Sequence, residues 1–345
     1  MQIHEILQQD PEIWHLFTCE EEYGAPYRDR YDRFPHYMSS NRQVFEPRVS
    51  HYLFERGYHP EYPEGQPFAV CLTHDIDVVY QSYPKKGLDL LLALGRGNRA
   101  GLMQGVRDLR GPKYPLCNFE EIIALEEKYD ATSTFFFLAL QDGDQDHSYQ
   151  VEDLGREIGT IADHGWEVGL HGGHQAYADL QKLKDEKARM ERVLGRPVAG
   201  YRNHFLRFRA PETWELLDQA GFLYDTTFGY ADCAGFRNGM CYPFRPYHGR
   251  KHQEIGIVEI PLTVMDRTLE VYMRLGPRQS WDLVRHLIDT VERCHGVITL
   301  LWHNTSLNGD GMKFYEKVLR YCREKGAWMT GGDEIATWEG YSRPE

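Results

Sequence analysis

The chain has 345 residues, of which 41% are hydrophobic, so it is long enough to bury one large core or two ordinary ones. Its 39 basic and 52 acidic side chains give a formal net charge of −13, which argues against nucleic acid as a main partner. The seven scattered cysteines lack CxxC spacing, which makes a disulfide framework or a cysteine-type zinc site unlikely, and no apolar run approaches the roughly 18 residues of a membrane span.

Residues 1–66 are predicted to form an N-terminal extension that packs on a main domain comprising residues 67–345. The first 18 residues show a helical pattern interrupted by Pro11, without the basic and apolar regions of a secretory signal, so a reducing cytoplasm is expected. Residues 23–47 are rich in Tyr, Arg and Pro and predict extended chain that wraps the main domain. Their tyrosines are more typical of a packed or solvated surface than of a substrate contact.

The apolar run 68–72 predicts a buried strand that leads into the sequence THDID. Such a strand would bring His74, Asp75 and Asp77 to its carboxyl end, the edge where α/β folds build their sites. Two convergent carboxylates suit a metal ligand beside a general base. The alternative is an Asx-type turn that only closes the strand.

Residues 80–118 form a basic insertion in an acidic protein. They contain seven lysines and arginines but only two aspartates. This pattern predicts either an arm that binds an anionic group such as a phosphate or a solvated helical insertion.

Beyond residue 118 helices and strands alternate. The predicted strands are 132–138, 166–170, 198–202, 222–226, 257–264, 297–302 and 327–330. Repeated βα units imply parallel strands with helical crossovers, hence a barrel or a doubly wound sheet.

Several of these strands end in residues that suit catalysis. His171 and His174 follow one strand and, with Asp77, form a set of two imidazoles and one carboxylate that leaves positions open for water and substrate. Arg202 ends another strand and is expected to pair with a carboxylate. His303 follows a very apolar strand and is predicted to be a general acid, although a lone His there is usually a core residue.

The order of these motifs resembles the polysaccharide deacetylase, or NodB-homology, family, which is carbohydrate esterase family four. THDID, HGGHQ, GYRNHF and LLWHN stand where the family has T-F-D-D, H-x-x-x-H, R-x-P and L-x-H motifs. The resemblance covers roughly residues 68–338 and implies a distorted (β/α)7 barrel. It also implies that Asp75 is the catalytic base, that Asp77 and His171 bind a metal, that Arg202 pairs with the base and that His303 is the general acid.

The sequence departs from the family pattern at three places, typical of a divergent branch. Ile76 separates the two aspartates, which are adjacent in the commonest family members. The second histidine, His174, lies three residues after His171, and the family position, four residues after, is occupied here by Gln175. His204 stands where the family has the proline that follows the arginine. His174, Gln175 and His204 are therefore alternatives for the second imidazole position.

Four further residues are predicted to support the site. Asp225 and Asp232 are the candidates to orient His303, Arg237 is predicted to contact the substrate or to form a structural ion pair, and His74 is predicted to lie close to the substrate or the ligands.

The resemblance implies a metal-dependent hydrolase, most simply a zinc enzyme, that removes an acetyl group from an N- or O-acetylated sugar or sugar precursor. The expected partner is a small-molecule or carbohydrate substrate. The basic insertion is compatible with a phosphate group on that substrate, and the sequence leaves open whether the chain forms a homo-oligomer. Two alternatives are an amidase for small, even cyclic, amides on the same scaffold and a non-catalytic carbohydrate-binding relative.

Overall fold

The computed structural model describes residues 3–80, 94–95 and 116–338. Most of the predicted basic insertion, and with it the prediction of an anion-binding arm, lies outside the described residues. No helix in these described ranges is long and apolar enough to cross a membrane.

Strands and helices alternate through the described chain. The strands are β1 Ala69–Ile76, β2 Thr134–Leu138, β3 Glu167–Gly172, β4 Gly200–Asn203, β5 Tyr224–Asp225, β6 Tyr247–His248, β7 Gln253–Glu254, β8 Val258–Glu259, β9 Leu262–Met265, β10 Val297–Leu301 and β11 Trp328–Thr330. The α-helices are α1 Ile3–Leu7, α2 Pro11–Thr18, α3 Arg48–Phe54, α4 Phe119–Glu127, α5 Gly155–Asp163, α6 Leu180–Leu194, α7 Glu212–Gln219, α8 Pro277–Arg293, α9 Gly309–Glu324 and α10 Gly332–Thr337. A π-helix, Thr268–Tyr272, follows β9.

Nine of the strands form one parallel sheet in the order β8-β5-β4-β3-β2-β1-β10-β9, with β11 also paired to β1. The strands β6 and β7 form a separate antiparallel pair. Both faces of the long strands are buried, as expected where helical crossovers cover a parallel sheet. This curled, parallel α/β sheet confirms the predicted fold class, the distorted barrel of the NodB type with helices preceding β1.

Two strands differ from the sequence prediction. The strand β1 continues to Ile76, so His74 and Asp75 lie within it and not beyond its end. The predicted strand 257–264 is divided into β8 and β9 because Pro261 has no N–H for the ladder. As a result β9 ends at Met265, directly before Asp266.

The N-terminal segment is hydrogen-bonded to a loop of the main domain. The amide N–H of Val49 donates to the carbonyl of Gly239 at 2.9 Å, and the amide N–H of Phe236 donates to the carbonyl of Val44 at 2.7 Å. These contacts hold this part of the N-terminal segment against the main domain.

Candidate metal centre

The parallel order of the strands brings the predicted site residues to one edge of the sheet. Asp75 lies in β1 and His171 in β3, while Arg202 lies in β4 and His303 follows β10. The strands β10, β1, β2, β3 and β4 are successive neighbours, and parallel neighbours end at the same edge. Asp77 follows β1 directly at this edge.

Two of these side chains and His204, one of the alternatives for the second imidazole, form a compact group of metal-ligand atoms: Asp77, His171 and His204. The Nε2 atom of His171 lies 3.1 Å from Oδ1 of Asp77 and 3.2 Å from Nδ1 of His204. The third side of the triangle, from Nδ1 of His204 to Oδ1 of Asp77, is 3.3 Å. These three atoms therefore converge on a single point from different elements of the fold.

The triangle fits a tetrahedral divalent ion. Metal–ligand bonds of about 2.0–2.1 Å, as for zinc, separate neighbouring ligand atoms of a tetrahedron by about 3.3 Å, close to the sides observed here. The Nδ1–H group of His171 donates to the carbonyl of Arg202 at 3.0 Å, which leaves Nε2 with the free lone pair that a ligand needs. Two imidazoles and one carboxylate leave a fourth position open, as catalytic zinc sites do.

The electrostatics of the group also favour a cation. Burial alone would raise the pKa of Asp77, but the imidazoles of His204, His171 and His303 together hold it well below its usual value. Burial would lower the pKa of His171, but Asp75 and Asp77 raise it above its usual value. The carboxylates thus stabilise positive charge at this point.

Asp75 lies beside the group with a buried arginine as its partner. Its Oδ2 is 3.8 Å from Nε2 of His171, and its Oδ1 is 3.5 Å from Nε of Arg202. The guanidinium of Arg202 is completely buried and also donates to the hydroxyl of Thr73 at 2.8 Å. The position agrees with the predicted pairing of Arg202 with the base.

His303 lies on another side of the group and has a buried carboxylate behind it. Its Nε2 is 3.6 Å from Oδ2 of Asp77, while its Nδ1 is 2.7 Å from Oδ1 of Asp266. The backbone N–H of His303 donates to Oδ2 of the same carboxylate at 3.1 Å. Burial would lower the pKa of His303, but Asp266 and, to a smaller extent, Asp77 and Asp75 raise it to about 9, which favours the protonated imidazole.

Sequence reasoning missed Asp266, which holds the place that Asp225 and Asp232 were predicted to hold. Asp225 is buried beside Glu259 and accepts from the hydroxyl of Thr227 at 2.5 Å. Asp232 accepts from the backbone N–H of His36 at 3.0 Å. The sequence carried a signal for Asp266, which directly follows an apolar strand as Asp77 does. The prediction of one strand over 257–264 hid this signal, because that strand ended before Met265.

Three other predicted site residues lie outside the group of ligand atoms. His174 turns away and places its Nδ1 2.8 Å from Oδ2 of Asp146, so the alternative His204 takes the second imidazole position. Gln175, the remaining alternative, is exposed. His74 points to the opposite face of β1, because neighbours in a strand alternate, and its Nε2 contacts Glu126 at 2.9 Å.

Arg237 forms a structural ion pair, one of its two predicted roles. Both Arg237 and its partner Glu22 are buried, and Nε of Arg237 donates to Oε1 of Glu22 at 2.9 Å. This pair ties the N-terminal segment to the loop after β5.

A cleft of about 350 Å³ opens above the group, a volume typical of a small-molecule site. The residues Asp75, Asp77, His171, His204 and His303 all line it. Tyr31 of the N-terminal segment lines it too, although the sequence favoured a packed or solvated surface for the tyrosines of that segment.

Comparison with known proteins identifies the fold. No protein-family model and no curated protein matches the chain. A solved structure from Mycobacterium smegmatis, provisionally classed as a polysaccharide deacetylase, matches with a TM-score of 0.56 at 19% identity, over 84% of this chain and 98% of that one. The chain therefore has the fold of the polysaccharide deacetylases. The resemblance carried by the strand-end motifs is confirmed at the level of the fold.

Two further structures are similar at TM-scores below 0.5. BA3943 from Bacillus anthracis, a CE4 family pseudoenzyme, matches at 14% identity with a TM-score of 0.42, over 80% of this chain and 67% of that one. The peptidoglycan deacetylase PdaC from Bacillus subtilis matches at 14% identity with a TM-score of 0.39, over 78% of this chain and 90% of that one.

Proposed function

We propose that this chain is a metal-dependent hydrolase that removes an acetyl group from an N- or O-acetylated sugar. The observation that supports the proposal is the triangle of ligand atoms from Asp77, His171 and His204, flanked by a carboxylate on one side and a protonated imidazole on another. A metal-binding group between a proton acceptor and a proton donor suits acyl hydrolysis.

Asp77, His171 and His204 would hold the ion, for which zinc suits the donor set. When bound, a divalent ion supplies Lewis acidity that polarises an acyl oxygen and makes water more acidic.

The side chains around the group carry the proton transfers. Asp75 accepts the proton of the attacking water, and Arg202 balances the charge of that carboxylate throughout the step. Asp266 is the largest of the charges that raise the pKa of His303 and so favour its protonated form, which donates a proton to the departing nitrogen or oxygen. Asp266 also holds the imidazole ring by two contacts, at Nδ1 and at the backbone N–H.

The proposal is tested by metal analysis of the purified protein together with acetate release from a panel of acetylated sugars. We expect about one divalent ion per chain and acetate release that chelation abolishes and added zinc restores. The matched variant His171→Ala should lose both the ion and the acetate release. Turnover of cyclic amides without acetate release would favour the amidase, and glycan binding without any turnover would favour a carbohydrate-binding protein.

A further inference from the structure

The cleft above the ligand group has a wall that the catalytic strands do not supply. Arg30, Tyr31 and Arg33 of the N-terminal segment form one part of this wall, and Arg267 and Tyr272, at and near the π-helix, form another part. Substrate in the cleft would meet these side chains on the way to Asp77.

Arg33 fixes this wall in place. Its guanidinium is buried, and Nε donates to Oδ2 of Asp29 at 2.8 Å. Its Nη1 donates to the carbonyl of Phe205 at 2.9 Å, and its Nη2 donates to the hydroxyl of Tyr272 at 3.2 Å. One side chain therefore joins the N-terminal segment to Phe205, which also lines the cleft, and to Tyr272. Because Arg33 is buried, the arrangement is preorganised.

The wall is also connected to the metal-binding group. The ring of Tyr31 stacks on the ring of Phe205, with centroids 4.4 Å apart and an angle of 18° between the planes. Phe205 directly follows His204, and the two rings are 4.0 Å apart. The aromatic surface of Tyr31 thus lies close to the point where the reaction is proposed.

The charges that line the cleft are unexpected for an acidic chain. Apart from Asp75 and Asp77, each charged residue of the lining other than the histidines is an arginine, although acidic residues outnumber basic ones by 52 to 39 in the whole sequence. Asp29 neutralises Arg33. Arg30 and Arg267 are exposed and have no ion pair within the described ranges, while Arg30 lies 4.7 Å from the ring centre of Tyr31.

We propose that Arg30 and Arg267 are specificity residues that bind an oxyanion carried by the substrate, a phosphate or a carboxylate. This inference rests on the proposed function, and it narrows the substrate to a short acetylated saccharide with an anionic group. An arginine fork matches both kinds of oxyanion. The ring of Tyr31 is stacked on Phe205 and lies 4.7 Å from the guanidinium carbons of Arg30 and Arg33, so it helps to hold Arg30 at the cleft. A neutral polymer would leave both guanidinium groups without an anionic partner.

Binding can be measured separately from turnover. Isothermal titration calorimetry on the zinc-supplemented Asp75→Asn protein would compare three ligands that share one ring: N-acetylglucosamine, its 1-phosphate and its 6-carboxylate. We expect the better of the two anionic ligands to bind about tenfold more tightly than the neutral sugar or better, as a hydrogen bond to a charged group implies. The phosphate and carboxylate arms identify which oxyanion the site prefers.

Arginine variants test whether the preference for an anionic ligand comes from the two guanidinium groups or from direct binding of the anion to zinc. In the same protein, Arg30→Gln with Arg267→Gln should abolish the preference and leave the affinity for the neutral sugar unchanged. Arg42→Gln removes another exposed arginine of the N-terminal segment that does not line the cleft, and it should leave the preference intact.

Equal affinity for the neutral and anionic ligands, no binding of either anionic ligand, or a preference that survives in the double variant would each overturn the inference. The proposed function is judged by acetate release, which is measured on the protein with Asp75 intact. Failure of acetate release with an arginine-dependent preference would refute the hydrolase and leave the anion site standing.

Discussion

Replacing Asp266 by Asn tests the assignment of His303 as general acid. The substitution keeps the shape of a buried side chain that accepts from the backbone N–H of His303 and contacts its Nδ1. It removes the largest of the charges that raise the pKa of His303 to about 9, the others being Asp77 and Asp75. Without that charge the pKa should fall toward its ordinary value of 6.5, because burial lowers it and only Asp77 and Asp75 remain to raise it.

The expected loss depends on pH in a way that can be calculated. At pH 7 a pKa of about 9 keeps roughly 99% of the imidazole of His303 protonated, whereas a pKa of 6.5 keeps roughly 24%, about a fourfold difference. At pH 8 the corresponding fractions are roughly 91% and 3%, about a thirtyfold difference. A general acid works only when protonated, so the alkaline limb of the pH–rate profile should move to lower pH, by roughly 2.5 units if the pKa falls all the way to 6.5.

The assay is kcat/KM for acetate release between pH 5.5 and 9.5, with metal content measured in parallel. A bound cation lowers the pKa of His303 in both proteins, so the displacement between the two profiles is the quantity to compare. Asp232→Asn is the matched control, since Asp232 contacts the backbone of His36 and should not move the limb. Superimposable profiles for the wild type and Asp266→Asn, or a loss equal at every pH, would refute the assignment.

Three other predictions concern the ligands, the base and a buried carboxylate. His204→Ala should lose stoichiometric metal while His174→Ala retains it, and the reverse result in metal analysis would show that the grouping of ligand atoms is incorrect. Asp77→Asn should lose metal and turnover together, whereas Asp75→Asn should keep the metal and lose roughly 10²–10⁴-fold in kcat; normal turnover of Asp75→Asn would contradict its role as base. Burial and Asp333 raise the pKa of Glu167 to about 8, so this carboxyl opposes folding increasingly as pH rises from about 4.5 to about 8. Urea melts at pH 5 and at pH 8 should therefore show that the free energy of unfolding of Glu167→Gln, relative to wild type, is higher at pH 8 by on the order of a few kcal/mol. A difference that does not change with pH would exclude that effect.

The sequence predicted the convergence of the site because it depends on topology. A parallel sheet places every strand end at one edge, so polar residues after apolar runs are brought together whatever the details of the loops. Asp75, His171, Arg202 and His303 could be found in this way, and the structure places them around one point. Their chemical roles remain predictions that the substitutions above address.

The direction of a side chain within a loop could not be predicted from spacing. His174 lies three residues after His171, but the chain after Gly173 carries it toward Asp146 and away from Asp77. Asp266 was concealed for a different reason, since Pro261 divides a run that reads as one strand. The role of Tyr31 depends on contacts between distant parts of the chain, which no local pattern reports.

The departures from the motif pattern of the polysaccharide deacetylases are consistent with one another in three dimensions. His171 is paired in register with Arg202, so His204, two residues further along, reaches the same edge of the sheet beside it. An imidazole at His204 makes one at position 175 unnecessary, and Gln175 is exposed.

The spacing of the two aspartates is also consistent with the geometry of the site. Asp75 and Asp77 are two residues apart around a buried Ile76, so alternation along β1 turns both carboxylates toward the site. Independent decay of a former site would not be expected to leave three ligand atoms 3.1, 3.2 and 3.3 Å apart with a buried arginine behind the adjacent carboxylate. In this chain the second imidazole of the ligand group therefore lies at the end of β4 and not in the loop after β3, and the three ligand atoms are close enough together to share one ion.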